Sequence, residues 1–203
     1  MKTVENSEKR PEAPPRQRIL DAAQDLFYSR GIRAVSVDEI AAAASTNKMT
    51  LYRHFESKDQ LVAEYLRSLN AMALARDEEL LRPFAGDADA QLRALIGRAG
   101  GDLCKGSLRG CPLTNAAVEF PEKDHPARAV IEECKTQHRE RLVTLCRDAG
   151  YVQPDRLAEQ LFLLLEGACV NVQSMGNCGP GARFAEMAYA IMDTHPRREK
   201  LPA

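Results

Sequence analysis

The sequence predicts an all-α chain, with an N-terminal three-helix helix-turn-helix unit followed by a larger helical ligand-binding and dimerisation part, about nine helices in all. Three observations carry this. Apolar residues recur at helical spacing, as in Ile19, Ala22, Ala23, Leu26 and Phe27, and no alternating run persists long enough to argue for a sheet. Helix start signals (Ser36, Asn47, Ser57) and stop signals (Gly31, Pro83, Gly150) punctuate the chain. Finally, residues 41–60, AAAASTNKMTLYRHFESKDQ, place an alanine-rich helix, a turn, a short polar helix and the start of another helix within twenty positions.

The 203 residues suffice for one large domain or two small ones. Hydrophobic residues make up 44% and charged residues 28%, Trp is absent, and the formal net charge is −1. That balance argues for no nucleic-acid partner by itself, so charge has to be read locally. Residues 1–58 hold ten Lys and Arg against eight Asp and Glu, and the remainder 18 against 21, a weak asymmetry of the sign a DNA-binding N-terminal half requires. No apolar h-region follows Met1-Lys2, and no run of about 18 apolar residues occurs. A cytoplasmic protein without a membrane partner is expected. The six cysteines form no CxxC and have no His at zinc-ligand spacing, so free thiols are expected, with no metal and no cofactor.

Residues 1–15 are charged and proline-bearing and read as a mobile arm. The first helix runs from Arg16 to the Gly31 stop, with Arg16 and Arg18 open to two readings, phosphate contacts or solvated arginines. Ser36 and Glu39 form a capping box that opens the second helix, whose inner face is Val37, Ile40, Ala41 and Ala44. Asn47 caps the third. At 100° per residue, Leu51 and Phe55 of that helix face the core, while Met49, Thr50 and Arg53 face outward with Tyr52 and His54 on the flanks.

A helix with such an outer face fits a major groove about 12 Å wide. Arg53 is placed to pair with a guanine edge and Thr50 and Met49 to touch thymine methyls, while Lys48, Tyr52 and His54 grip phosphates. Singly, each is equally readable as an ordinary exposed residue. Together with Ser36 and Thr46 at the two ends of the first of the paired helices, and with Lys58, they form the expected DNA-binding set.

The block from Val37 to Leu61, VDEIAAAASTNKMTLYRHFESKDQL, closely resembles the DNA-binding domain of the TetR family of bacterial transcriptional regulators, with its T-x-Y-x-H-F-x-S-K-x-x-L signature. The resemblance covers residues 16–62. It implies DNA-contacting roles for Thr50, Tyr52, His54 and Lys58, and a homodimer paired through the last two helices. Ser45 departs from it, because many members carry glycine in that turn. A serine there needs a different local backbone or tolerated strain.

Residues 63–195 are expected to bind an effector and to dimerise. Ser57 and Gln60 open a fourth helix through Leu61, Tyr65, Leu66, Leu69, Met72 and Leu80, stopped by Pro83 near Arg82. In the family this long helix transmits ligand binding to the DNA-reading helices. A fifth helix is expected over Ala88 to Cys104, and a short sixth opens at Pro112.

Cys111 then lies near a helix N-terminus with Arg109 close by, which favours a thiolate; the alternative is a small packed residue that never reacts. The G-C-x-L-x-N-x-A-x-E pattern resembles TetR-type regulators that include electrophile- and redox-responsive members, while others with it bind unmodified ligands. A long seventh helix spans Ala127 to Gly150 and carries His138, either a ligand contact or a hydrogen-bonded structural histidine. The eighth, from Pro154 or Asp155, is apolar on every side at Leu161-Phe162-Leu163-Leu164-Leu165. Beyond the break at Asn177-Cys178-Gly179-Pro180-Gly181, a ninth helix presents Phe184, Met187, Ala188, Ile191 and Met192, and residues 196–203 read as a loose tail.

The expected ligand-lining set is Met72, Cys111, Asn115, Phe120, His138, Phe162 and Glu166. The expected dimer set is Leu161, Leu164, Leu165, Phe184, Met187 and Ile191. The function so read is a sequence-specific regulator, a repressor, that binds a palindromic DNA operator as a homodimer and is released by a small-molecule effector or by cysteine modification. Two other classes remain: an architectural DNA-binding protein without effector, and a helical enzyme, for which no convergent nucleophile, base and orienter are found.

Overall fold

The computed structural model describes residues 13–105 and 109–198. Most of the expected mobile arm, and the tail from residue 199, lie outside them. The described chain is all-helical apart from one isolated backbone bridge, and it divides into two compact units, the first ending at Tyr65 and the second beginning at Leu66.

The first unit holds α1 (Pro15–Arg30), α2 (Val37–Ala43), α3 (Lys48–His54) and the opening turns of α4 (Lys58–Leu81). Each start has a local cause. Pro15 occupies the first position of α1, where a missing N–H costs nothing. The Ser36 side chain accepts from Glu39 N (3.2 Å) while Glu39 Oε2 accepts from Ser36 N (2.8 Å), so the capping box is complete. Those hydrogen bonds from Ser36, backbone first, and then Arg30, hold the Glu39 carboxyl down at about 2. Asn47 Oδ1 accepts from Thr50 N at 2.9 Å and starts α3.

The unit closes on Ile19, Phe27, Ile40, Leu51, Phe55 and Tyr65, each at most 2% exposed, with Phe27 and Tyr65 edge to face at 5.4 Å. Burying side chains of this size contributes about 1.5–3 kcal/mol each. α2 and α3 therefore owe their positions to the core rather than to helix propensity, since seven-residue helices are marginal alone. At the turn between them Ser45 takes φ 51°, the left-handed conformation itself, so the strain is tolerated and no alternative backbone is used.

The second unit comprises the rest of α4, α5 (Ala88–Lys105), α6 (Pro112–Glu119), α7 (Pro126–Asp148), α8 (Pro154–Met175) and α9 (Phe184–Thr194). α4 ends one residue before the expected Arg82, where Pro83 forces a single 3-10 turn over Arg82–Phe84. Leu92, Cys146, Tyr151, Leu157, Phe184 and Ala188 anchor a core made by α5, α7, α8 and α9. α5 and α9 approach closely because Gly100 lacks a side chain; a Cβ there would stand 2.8 Å from Ala185 Cβ.

Residues 196–198, at the head of the expected loose tail, are held. Val152 N donates to Pro196 O (3.0 Å) and Arg198 N to Gly150 O (2.8 Å). Arg197 lies over the Tyr151 ring, 4.4 Å from its centroid, and donates to Asp89 Oδ1 at 2.6 Å. Burial pulls the Asp89 carboxyl up, but the hydrogen bonds from Arg197 and Arg93 outweigh it and leave its pKa below the ordinary value.

Candidate nucleic-acid interface and effector cavity

α3 lies on the unit with a sharp two-sidedness. Leu51 and Phe55 are fully buried, whereas Met49 is 79% exposed and Tyr52 43% exposed. Lys48, Arg53 and His54 are exposed and Thr50 half-buried. Met49 and Tyr52 thus leave large apolar surface open on the outer face of α3. Arg53 Nη2 donates to Thr50 Oγ1 (3.2 Å), and Lys48 Nζ pairs with Asp38 Oδ2 (3.2 Å); both are exposed contacts that a phosphate or base can displace at little cost.

The remaining members of the DNA-binding set sit differently. Ser36 is engaged in its cap, and Thr46 is half-buried in the turn with its N–H on Ala41 O. Lys58 Nζ donates to Ile32 O at 2.7 Å and lies 5.9 Å from the centroid of the Phe27 ring, so its side chain braces the unit. Of the two arginines at the start of α1, Arg16 pairs with Glu64, and Arg18 Nε donates to Ala44 O (3.2 Å), tying α1 to the end of α2.

In the second unit a cavity of about 170 Å³ opens between α4, α5, α7 and α8. Leu95, Ala99, Leu142, Leu161, Phe162 and Phe184 give it apolar walls. Its polar groups are Asp77, Arg98, His138, Arg141 and Glu166. His138, Phe162 and Glu166 were expected there. Met72 is not part of it and is 56% exposed; Phe120 is buried instead in a stack on His125, with ring centroids 3.9 Å apart. Asn115 is used structurally, donating to Arg109 O (2.6 Å) and accepting from Gln173 (3.2 Å).

Cys111 caps α6 and is connected to the cavity wall through a residue the sequence did not single out. Lys135 Nζ lies 3.6 Å from Cys111 Sγ, 3.2 Å from Thr114 Oγ1, and 2.5 and 2.6 Å from the two oxygens of Glu166. Thr114 Oγ1 also donates to Glu166 Oε2 at 3.1 Å. Burial, and then the neighbouring Cys111, push the Cys169 thiol up to about 11. Cys146, fully buried, is pushed up to about 12. Both stay protonated at neutral pH and are poor nucleophiles.

His138 Nε2 is 2.8 Å from Asn70 Oδ1. Burial and then the Lys135 charge lower its pKa below 6.5, so the imidazole is neutral at pH 7. Asn70 Nδ2 is spent on Gln137, so Oδ1 accepts and the His138 proton sits on Nε2.

Leu161 and Phe184, expected at a dimer interface, are each 2% exposed within their own chain and wall the cavity. Leu164, Leu165 and Ile191 are partly buried against the core. The outward apolar surface of α8 and α9 is formed by Leu163, Val170, Met175 and Met187, with Leu163 69% exposed. Among the described residues no group of three or more His, Cys, Asp or Glu is placed to hold a metal ion, and no helix is long and apolar enough to cross a membrane.

This architecture has relatives. Residues 19–65 match the family model for bacterial regulatory proteins of the tetR family. The HTH-type transcriptional repressor Rv3405c of Mycobacterium tuberculosis is 38% identical over 104 residues, 51% of this chain and 52% of that protein, so the match spans about half the length of such curated relatives. The HTH-type transcriptional repressor DhaR of a Mycobacterium species is 24% identical over 190 residues, covering 88% of this chain and 92% of that one. The crystal structure of SCO4454, a TetR-family transcriptional regulator from Streptomyces coelicolor, superposes with a TM-score of 0.81 at 26% identity, over 88% of this chain and 94% of that one. Residues 19–65 thus match the DNA-binding domain of tetR-family regulators, and the chain as a whole shares the fold of a TetR-family transcriptional regulator.

Proposed function

We propose that this chain is a cytoplasmic, DNA-binding transcriptional repressor that docks as a homodimer on a palindromic operator and is released by an effector. The observation that carries this is the outer face of α3, where Met49, Tyr52, Arg53 and His54 are exposed around a helix anchored by buried Leu51 and Phe55. Two such helices reach successive major grooves when they stand about 34–36 Å apart. The outward apolar surface of α8 and α9 supports self-association: Leu163, Gly167, Asn171 and Met187 border a shallow groove there that small residues leave open to close packing.

Release has two branches. A ligand in the cavity contacts both α4 and α8, and α4 is continuous with the first turns that complete the DNA-binding unit. The differential affinity of that ligand for two states of the chain sets how far the operator equilibrium moves. The thiol branch rests on the place of Cys111, half-buried at the head of α6 with Lys135 Nζ 3.6 Å from its sulfur. If that branch operates, Cys111→Ser keeps its operator complex when an electrophile dissociates that of the parent; release in both assigns Cys111 to packing alone.

Footprinting on the promoter beside its own gene tests the whole reading. A short protected palindrome supports it, and a uniform, sequence-blind footprint replaces it with an architectural role.

A further inference from the structure

Among the cavity's basic groups, Arg141 is the one that no hydrogen bond holds among the described residues. Its side chain is only 24% exposed, yet among the described residues its guanidinium makes no hydrogen bond, and its nearest carboxylate oxygen, Asp77 Oδ2, is 3.9 Å away. A guanidinium brings five donors in a planar fork, and once largely withdrawn from water it needs acceptors in that plane. Asp77 supplies none in that plane: its Oδ1 stands 2.7 Å from Arg98 Nη2 without completing a hydrogen bond, and its Oδ2 stays 3.9 Å from Arg141. Arg98 in turn is divided between Asp77 and Asp102 (2.8 Å), and its Nε is buried with no acceptor.

Glu166 and His138 offer the cavity no open charge. Glu166 is closed off by two short contacts from Lys135 and one from Thr114. His138 stays neutral at pH 7 and commits its Nε2 proton to Asn70. What remains is a guanidinium held by one long ion pair to Asp77, with spare donors beside apolar walls. An apolar cavity of about 150 Å³ holds benzene, and this one, at about 170 Å³, has room for one ring or a short chain bearing one small group.

We propose that the cavity takes a small monocarboxylate built on one hydrocarbon ring or its short-chain equivalent, its carboxylate bidentate on Arg141 with Arg98 Nε close by, its hydrocarbon against Leu161, Phe162 and Phe184. The geometry favours a carboxylate because two coplanar oxygens match the guanidinium fork and supply the in-plane acceptors that Asp77, at 3.9 Å, does not. A dianionic phosphate brings hydration that apolar walls cannot replace. The inference rests on the reading of this cavity as the effector site.

The test is calorimetric titration of the full-length protein with benzoate, cyclohexanecarboxylate, benzamide and benzylammonium, repeated on Arg141→Gln and Arg141→Lys, with circular dichroism to establish that each variant is folded. A charge-assisted pair in a shielded site predicts carboxylate binding about 10- to 100-fold tighter than that of the neutral amide. Arg141→Gln removes that preference while leaving benzamide binding unchanged, and Arg141→Lys restores part of it. Benzamide binding as tightly as benzoate, benzylammonium binding more tightly, no binding by any probe, or a preference that survives Arg141→Gln each overturns the proposal. Gel shifts with the same probes separate it from the effector reading. Equal binding of acid and amide with release of the operator by both leaves the effector cavity standing without its carboxylate preference, whereas Arg141-dependent carboxylate binding without release does the reverse.

Discussion

Lys135 bridges three elements of the second unit and is the sharpest place to perturb it. In Lys135→Met the aliphatic stem is kept and the ammonium removed, leaving the Glu166 carboxylate with only the Thr114 hydroxyl. Removing one member of a fully buried pair costs about 3–5 kcal/mol. The side chains of Lys135 and Glu166 are 19% and 28% exposed, so water recovers part of this, and the expected loss is about 2–3 kcal/mol. For a chain of this size that lowers the melting temperature by about 4–12 °C. Glu166→Gln alone is expected to cost less, because an amide can still bond Thr114. The double variant should recover part of the Lys135→Met loss, giving a coupling energy of about 1–3 kcal/mol from urea unfolding of all four proteins. Coupling below about 0.5 kcal/mol would refute the claim that this pair, rather than general packing, joins α7 to α8.

Three further outcomes follow from single positions. Gly100→Ala puts a methyl 2.8 Å from Ala185 Cβ and is expected to destabilise by about 1–3 kcal/mol, against a helix-propensity gain of about 1; Gly101→Ala meets nothing within 4 Å and should stabilise by up to that amount, so equal melting shifts for the neighbours would contradict the close α5–α9 contact. Ser45→Gly relieves a left-handed residue at about 1–2 kcal/mol but adds unfolded-state freedom worth about 0.5–1, for a net gain of about 0.5–1 kcal/mol in urea unfolding; a loss would mean that the serine side chain contributes to the turn. Because burial and then Lys135 lower the His138 pKa, the unfolded chain takes up its proton first. The His138 contribution is therefore full above about pH 6.5 and is lost as pH falls below it through the depressed folded value. His138→Gln should flatten stability on the acid side of pH 6.5, and parallel parent and variant slopes would remove His138 from the account.

The fold was legible because its signals are local. The Ser36 box, the Asn47 cap, proline at the head of α6, α7 and α8 and the apolar stripes act within a turn or two of chain, and the helices begin and end near where they point. The outward face of α3 was equally accessible, since seven residues at 100° each leave little freedom once Leu51 and Phe55 are turned inward.

The cavity was less so. Lys135, His138 and Arg141 recur every third residue on α7, a periodicity that could have marked a polar inner stripe, but the run KTQHRER reads first as a solvated face. Asp77 and Arg98 meet Arg141 from α4 and α5, a convergence set by packing between distant segments that no spacing encodes. The α8 run was ambiguous for a related reason: where every side is apolar, periodicity cannot choose between core and partner. The structure turns Leu161 inward and Leu163, two residues or about 200° on, outward.

The central claim is that the exposed face of α3 reads DNA sequence. Footprinting with the parent and with Arg53→Ala and Tyr52→Phe on the promoter fragment tests it most directly. The account predicts a short palindromic footprint with half-sites one helical turn apart, loss of discrimination at one base position worth about 1–3 kcal/mol in Arg53→Ala, and weaker binding at all sequences in Tyr52→Phe. Protection that is indifferent to sequence, or unchanged by Arg53→Ala, would contradict it.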